Sequence, residues 1–436
     1  MKKNLQRVLG PALGLVMGLV MCLALLTGWL VYSGFAYSGF AATSDSVNNV
    51  KAFVGARIID GTGKAPMQNA TLVVRNGRIE AVGTSVKVPS GAEKIDATGK
   101  TIMPGMISGH SHVGEASQLG LYARYGITSV FSLGGDDEIK IRDQVRAEQQ
   151  TPALNHARLF IAGPVVASKT PQDAIKAVDE LAAAKTDIVK FRLDDALGTG
   201  MKMPPEVYTA IFDEAHKKGM RVAVHVVYLS DAKAVLKLGA DYIAHSVRDF
   251  DIDDETIALL KKNKAFYCPT LTREITTYIF PEKPAFLNDP FLLNGGDPVE
   301  LARVKDAAFL AKMRDDKSGV WYKEHLTVAM RNLKKLSDAG VPIVMGTDSG
   351  PPARFQGYFE HVELDYMVKS GLTPMQALVA ATSTAARFAH ASDQIGTLER
   401  GKWADLLVLS ANPLDDIRNT EKLDSAWIAG NRVPAK

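Results

Sequence analysis

Two histidines one residue apart, His110 and His112, close the segment Met103-Pro104-Gly105-Met106-Ile107-Ser108-Gly109-His110-Ser111-His112, which opens as a short apolar run of β character. On a strand, residues i and i+2 point to the same side, so both imidazoles can reach one metal ion. More residues with metal-ligand chemistry follow downstream: Lys190 in Ile188-Val189-Lys190-Phe191, then His225, His245, and Asp348 in Gly346-Thr347-Asp348-Ser349-Gly350. Imidazole nitrogen and carboxylate oxygen suit zinc or a similar first-row divalent ion. Taken singly, most have a plainer role, the histidines as hydrogen-bonded structural residues and Asp348 as a cap. Lys190 has none. A lysine within the apolar run 187–193 points inward, and burying an unpaired ammonium is strongly unfavourable. It must be deprotonated, paired with an acid, or converted chemically into an anion.

The elements that would position these residues are eight strand-like runs, 102–107, 129–133, 158–166, 187–193, 221–227, 241–245, 265–271 and 342–346. Most are followed by helix-period segments, among them 172–184, 205–218, 231–238, 254–262 and 322–339. That alternation predicts a parallel α/β architecture, and eight strands predict a (β/α)8 TIM barrel with its site at the C-terminal strand ends. Four of the nine histidines fall at such ends; for the rest, His361 among them, a structural role is the default. The stretch 272–301, with Pro281, Pro284, Pro290 and Gly295-Gly296, lacks clear periodicity and is expected as a loop closing over the barrel mouth. Both flanks, 50–101 and 392–436, read as short strands and turns, with Asn76-Gly77 a hairpin signal. They predict a small discontinuous β-sandwich domain around the barrel at 102–391.

The chain has 436 residues and a formal net charge of +3, with no basic stretch interleaved with aromatics, so a nucleic-acid partner is excluded. Cys22 and Cys268 are its two cysteines, which leaves the folded body no internal disulfide. Lys2, Lys3 and Arg7 precede a segment with no charged residue until Asp45. Residues 1–42 therefore form an export signal or membrane anchor. The apolar part, 9–36, is longer than the usual signal core of about 7 to 15 residues and long enough to span a bilayer. Gly34-Phe35-Ala36 and Gly39-Phe40-Ala41 offer cleavage spacing. The body is expected to be exported, periplasmic or extracytoplasmic, either soluble after cleavage or anchored to the inner membrane.

The order His-x-His, strand-four Lys, strand-five His, strand-six His and strand-eight Asp resembles the amidohydrolase superfamily. Thr101-Ile102-Met103-Pro104-Gly105-Met106-Ile107, Leu372-Thr373-Pro374-Met375-Gln376-Ala377-Leu378, Ile395-Gly396-Thr397-Leu398 and Gly401-Lys402-Trp403-Ala404-Asp405-Leu406 are similar to its imidazolonepropionase-like, Xaa-Pro dipeptidase-related branch. The resemblance implies one or two divalent ions per subunit, zinc by preference, with His110, His112 and Asp348 on the first, His225 and His245 on the second, and carbamylated Lys190 bridging them. One departure is Ser108, which stands where many relatives have Asp. The implied reaction is hydrolysis of an amide or peptide-like carbon–nitrogen bond in a small molecule. A metal-bridging hydroxide attacks, and Asp348 passes its proton to the leaving amine. Tyr228, Arg248 and Arg273 are candidate substrate contacts, and a homo-oligomer is compatible. The alternatives are a hydrolase of lactones, phosphotriesters or other esters at the same centre, or a non-catalytic metal-binding scaffold. All six site positions keep the required chemistry, which speaks against the scaffold.

Overall fold

The computed structural model describes residues 50–434. The expected signal or anchor at 1–42 lies outside the described residues; within them, no helix is long and apolar enough to cross a membrane.

The N-terminal strands are β1 (Val50–Ile58), β2 (Met67–Arg75), β3 (Arg78–Gly83), β4 (Glu93–Asp96) and β5 (Thr101–Pro104). Asn76 and Gly77 both take positive φ, 50° and 79°, which is the backbone a tight hairpin between β2 and β3 requires. Seven parallel strands follow: β6 (Met106–Ser111), β7 (Ile127–Ser132), β8 (Arg158–Ile161), β9 (Val189–Arg192), β10 (Val222–His225), β11 (Tyr242–Ala244) and β12 (Phe266–Cys268). The chain ends in β13 (Leu406–Leu409), β14 (Leu423–Ile428) and β15 (Asn431–Arg432). Strands from both ends share one eight-stranded sheet, ordered β15-β14-β13-β5-β1-β2-β3 with β4 on β1. Phe53, Leu72, Ile102, Leu406 and Trp427 fill its core.

The run expected as one strand at 102–107 is two. It divides at Gly105, whose N–H donates to the Asp405 carbonyl at 2.9 Å. β5 pairs antiparallel with β13, while β6 pairs parallel with β7. Both halves are fully buried, so no polar residue marks the junction.

The parallel strands form two sheets, β6-β7-β8 and β9-β10-β11-β12. A bridge from Val166 to Phe191 links β8's continuation to β9. The eighth expected strand, 342–346, has no ladder of its own. It is bridged to β12 at Ile343, and Met345 accepts from Gly109 N of β6 at 2.8 Å. Helices Pro171–Ala183, Pro205–Lys217, Leu229–Lys237 and Asp254–Asn263 separate the middle strands. Their starts are locally encoded: Thr170 accepts from Asp173 N and is followed by proline, and Asp253 accepts from Thr256 N.

The stretch expected as a loop is largely helical: residues 272–301 fall into short helices, Leu271–Ile275, Pro290–Gly295 and Pro298–Arg303 among them. Phe291 packs edge-on against Tyr125 and His361, while Arg273 lines the cavity at the strand ends and Glu300 accepts from Ala353 N, between the cavity-lining Pro351 and Arg354. Proline at the first turn of a helix carries no cost, so prolines spaced along such a stretch can start helices as well as break them.

Candidate metal centre

The C-terminal ends of the parallel strands enclose a cavity of about 350 Å³ lined by His110, His112, Lys190, His225, His245 and Asp348. Arg192, Arg273 and Arg354 complete its charged lining. On β9, Lys190 and Arg192 are two residues apart and so share a side, as His110 and His112 do on β6. Three residues near these ends, His245, Thr270 and Asp348, hold left-handed φ of 73°, 47° and 60°. Such backbone is costly for a side-chain-bearing residue and clusters where function constrains the chain. Segment 346–350 lies hard against β6: a Cβ at Gly346 would stand 2.6 Å from His110 N, and one at Gly350 2.2 Å from the His112 carbonyl. Only glycine admits that approach.

His112 Nδ1–H donates to the Gly134 carbonyl at 2.7 Å, which turns Nε2 toward Asp348 Oδ1, also at 2.7 Å. His245 Nδ1 is hydrogen-bonded to Thr270 Oγ1 at 2.7 Å, which leaves Nε2 as the nitrogen available to a ligand. Fixing one ring nitrogen in this way selects the tautomer a metal ligand needs. His110 Nε2 stands 3.3 Å from the same Asp348 oxygen, and His225 packs against His245 with ring centroids 4.1 Å apart. Burial, reinforced by Lys190, lowers the His110 pKa to about 3. His225 and His245 are likewise held well below the ordinary imidazole value, burial being the main cause. All three are therefore neutral and able to donate a lone pair. Burial pushes the Asp348 carboxyl up, but Arg354 and the two histidines outweigh it and hold the carboxyl well below the usual range. Lys190 Nζ is buried with no hydrogen-bond partner, and burial lowers its pKa to about 7.

His110, His245 and Asp348 each bring one ligand atom within 4.8 Å of the others, which fits a single divalent ion. The orphaned Lys190 Nζ and His110 Nδ1 are the unsatisfied buried atoms that a bound group would explain.

The amidohydrolase family model matches residues 101–433. The chain belongs to the amidohydrolase family. It is an enzyme of that type, a hydrolase of carbon–nitrogen bonds. This amidohydrolase is 24% identical over 387 residues to an imidazolonepropionase of Cutibacterium acnes, covering 84% of this chain and 90% of that protein. It is 28% identical over 217 residues to an ochratoxinase of Aspergillus niger, covering 49% of this chain and 37% of that protein. Among solved structures, a putative prolidase from Bifidobacterium longum aligns with a TM-score of 0.70 at 26% identity, over 88% of this chain and 94% of that one. A Xaa-Pro dipeptidase aligns with a TM-score of 0.69 at 21% identity, over 88% and 99%.

The candidate substrate contacts separate. In this amidohydrolase Arg273 lines the cavity and pairs with Glu274 at 3.1 Å. Arg248 does not line it. Its side chain is 1% exposed, lies 3.3 Å from Glu274, and donates to the Ser246 carbonyl. A guanidinium that a sequence places on the rim is here a buried strut. Tyr228 does not line the cavity either; its hydroxyl donates to Asp195 at 2.8 Å and Lys202 sits over its ring. His361 is structural as expected, held between Thr420 Oγ1 and the Tyr125 carbonyl.

Arg354 and Asp194 are among the site residues that the sequence does not single out. Arg354 forms a short ion pair with Asp348 Oδ2. Asp194 stands 3.2 Å from His225 Nε2. The signal for Arg354 was its place six residues after Asp348 on one glycine- and proline-rich turn. For Asp194 it was its place just beyond the strand carrying Lys190.

Proposed function

We propose that this amidohydrolase cleaves amide or peptide-like bonds of small molecules at a divalent-metal centre formed by His110, His112, Lys190, His225, His245 and Asp348. The observation that carries the reading is the convergence of all six side chains, from five separate chain segments, on one cavity. One or two divalent ions held there, zinc by preference, would make hydroxide available near neutral pH and polarise a carbonyl. His110, His112 and Asp348 would hold one ion and His225 and His245 a second, with His245 close enough to His110 and Asp348 for the two sets to adjoin. Lys190 Nζ is the atom that would be carbamylated: buried without a partner, its neutral amine would add carbon dioxide and lose one proton to solvent, giving a carboxylate-like anion that could serve as a metal ligand. Asp348 serves as the proton carrier, taking the proton of the attacking water at a carboxylate oxygen and delivering it to the leaving nitrogen. Arg273 and Arg354 present guanidinium N–H groups to the substrate's anionic or carbonyl oxygens. The bridges at Ile343, Val166 and Ser349 support closure of the parallel segments into a (β/α)8 barrel. The eight-stranded sheet corresponds to the discontinuous domain assigned to 50–101 and 392–436, with its strand β5 running on to Pro104.

The test is metal analysis of the purified protein with a panel of dipeptides, N-acyl amino acids, esters and lactones. We expect bound divalent metal, turnover of amides, and a loss of about 10²- to 10⁴-fold in kcat for Asp348→Asn. A protein without metal, or Asp348→Asn with full activity, overturns the proposal; turnover confined to esters or lactones moves the substrate class to those bonds.

A further inference from the structure

We propose that Glu360 is a positioning residue that clamps the two ligand-bearing segments of the site, β6 and the turn 347–349, to each other. The inference rests on the reading that His110, His112 and Asp348 hold a metal ion. Glu360 lies on the helix Tyr358–Lys369 and is completely buried. Its Oε1 accepts from the hydroxyls of Thr347 and Ser349, each at 2.9 Å, and lies 3.0 and 3.3 Å from those of Ser108 and Ser111, which are also hydrogen-bonded to each other at 2.7 Å, so that pair supplies one donor to the carboxylate and one bond between themselves. Ser108 and Ser111 flank His110 on β6, and Thr347 and Ser349 flank Asp348. One carboxylate oxygen thus gathers donors from both sides of the proposed ligand set.

The clamp adds to a backbone already drawn together. Thr347 N and Asp348 N both donate to the His110 carbonyl, at 3.0 and 2.8 Å, and His112 N donates to the Ser349 carbonyl at 2.7 Å. Those bonds set the height of one segment on the other. The hydroxyls set their rotation, because the cluster they form, with Ser108 and Ser111 bonded to each other, converges on one oxygen. A carboxylate is an acceptor only and a costly group to bury without strong donors, so a core needing mere filling would hold an apolar side chain here. Ser108 acquires a role by the same geometry: with no carboxylate of its own, it presents a hydroxyl to one arriving from another element.

The experiment uses the full-length protein, freed of metal and titrated with Zn²⁺ against a chromophoric chelator. Hydrogen–deuterium exchange of the metal-free state is followed alongside. For Glu360→Gln we expect a folded protein with Zn²⁺ affinity lowered by about 10- to 100-fold and exchange accelerated selectively at 106–112 and 345–350. Ser108→Ala and Thr347→Val, which remove single donors, should each lower affinity less, and should add less in the Glu360→Gln background than in the wild type, because the amide keeps a weaker acceptor. Unchanged affinity and unchanged exchange in a folded Glu360→Gln overturn the proposal, as does uniform acceleration across the whole chain, the signature of plain core stability. If Glu360→Gln fails to fold, the two donor variants decide by the same criteria. If the wild type binds no Zn²⁺, the metal reading fails by itself; selective loosening in the metal-free variants still supports the clamp, and its absence overturns it.

Discussion

Replacing Lys190 by methionine keeps most of the side chain's volume and removes the amine. Nζ is buried with no hydrogen-bond partner, and burial lowers its pKa from 10.5 to about 7. Between those values the unfolded chain holds a proton that the folded chain has lost, so the lysine's contribution to stability rises as pH rises from about 7 to 10.5. At about 1.4 kcal/mol for each tenfold change in proton affinity, the full penalty is about 5 kcal/mol. Nearly all of it is present at pH 7, and it shrinks to about 2 kcal/mol by pH 9. The assay is urea unfolding of the metal-free protein in buffer free of carbon dioxide, at pH 7 and pH 9. Lys190→Met should unfold at higher urea than the wild type at both, with the larger gain at pH 7, and should have lost its hydrolase activity. A variant less stable than the wild type at pH 7, or a gain equal at the two pH values, refutes the reasoning, because either result means the ammonium has a partner in the folded protein. The same residue would then be a structural cation and not the precursor of a carbamate.

Two further outcomes follow from named contacts. Arg158 and Asp405 pair at 2.9 Å with both side chains 3% exposed, and Asp405 also accepts from Ala429 N at 2.7 Å. Asp405→Asn should cost about 3 to 5 kcal/mol in chemical unfolding, since it leaves a buried guanidinium without its anion; a loss below about 1 kcal/mol would show the pair to be dispensable. Arg354 is the leading cation holding the Asp348 carboxyl down. Arg354→Gln should raise the Asp348 pKa in the metal-free protein, read from carboxyl-carbon chemical shifts against pH. No movement would mean that the histidines alone set it.

Much of the site was legible because its chemistry is local to strands. A His-x-His on a β run places two imidazoles on one side by the period of the strand alone, and His110 and His112 both line the cavity. Lys190 announced itself by conflict with its surroundings, since a charged side chain in an apolar run has no neutral explanation, and the structure leaves its Nζ unsatisfied. Turn chemistry was equally local: Asn76-Gly77 takes the backbone its residue types prescribe.

What failed to show were pairings made across distance. Nothing in 102–107 separates the residues bonded to β13 from those bonded to β7, because both sheets bury both faces and need the same apolar residues. Arg248 and Arg273 looked alike as post-strand arginines. Both pair with Glu274, yet Arg273 lines the cavity while Arg248 is buried away from it, donating to the Ser246 carbonyl, a difference that no feature of either arginine's own segment marks. Glu360 looked like any helix acid until four hydroxyls from two other segments surrounded it. The sequence by itself determined which side chains could bind a metal and which strands carry them, because residue type and the two-residue period are properties of a short segment. Only the tertiary structure decided which charges are left free to act, because a charge is silenced or exposed by partners that folding brings from elsewhere.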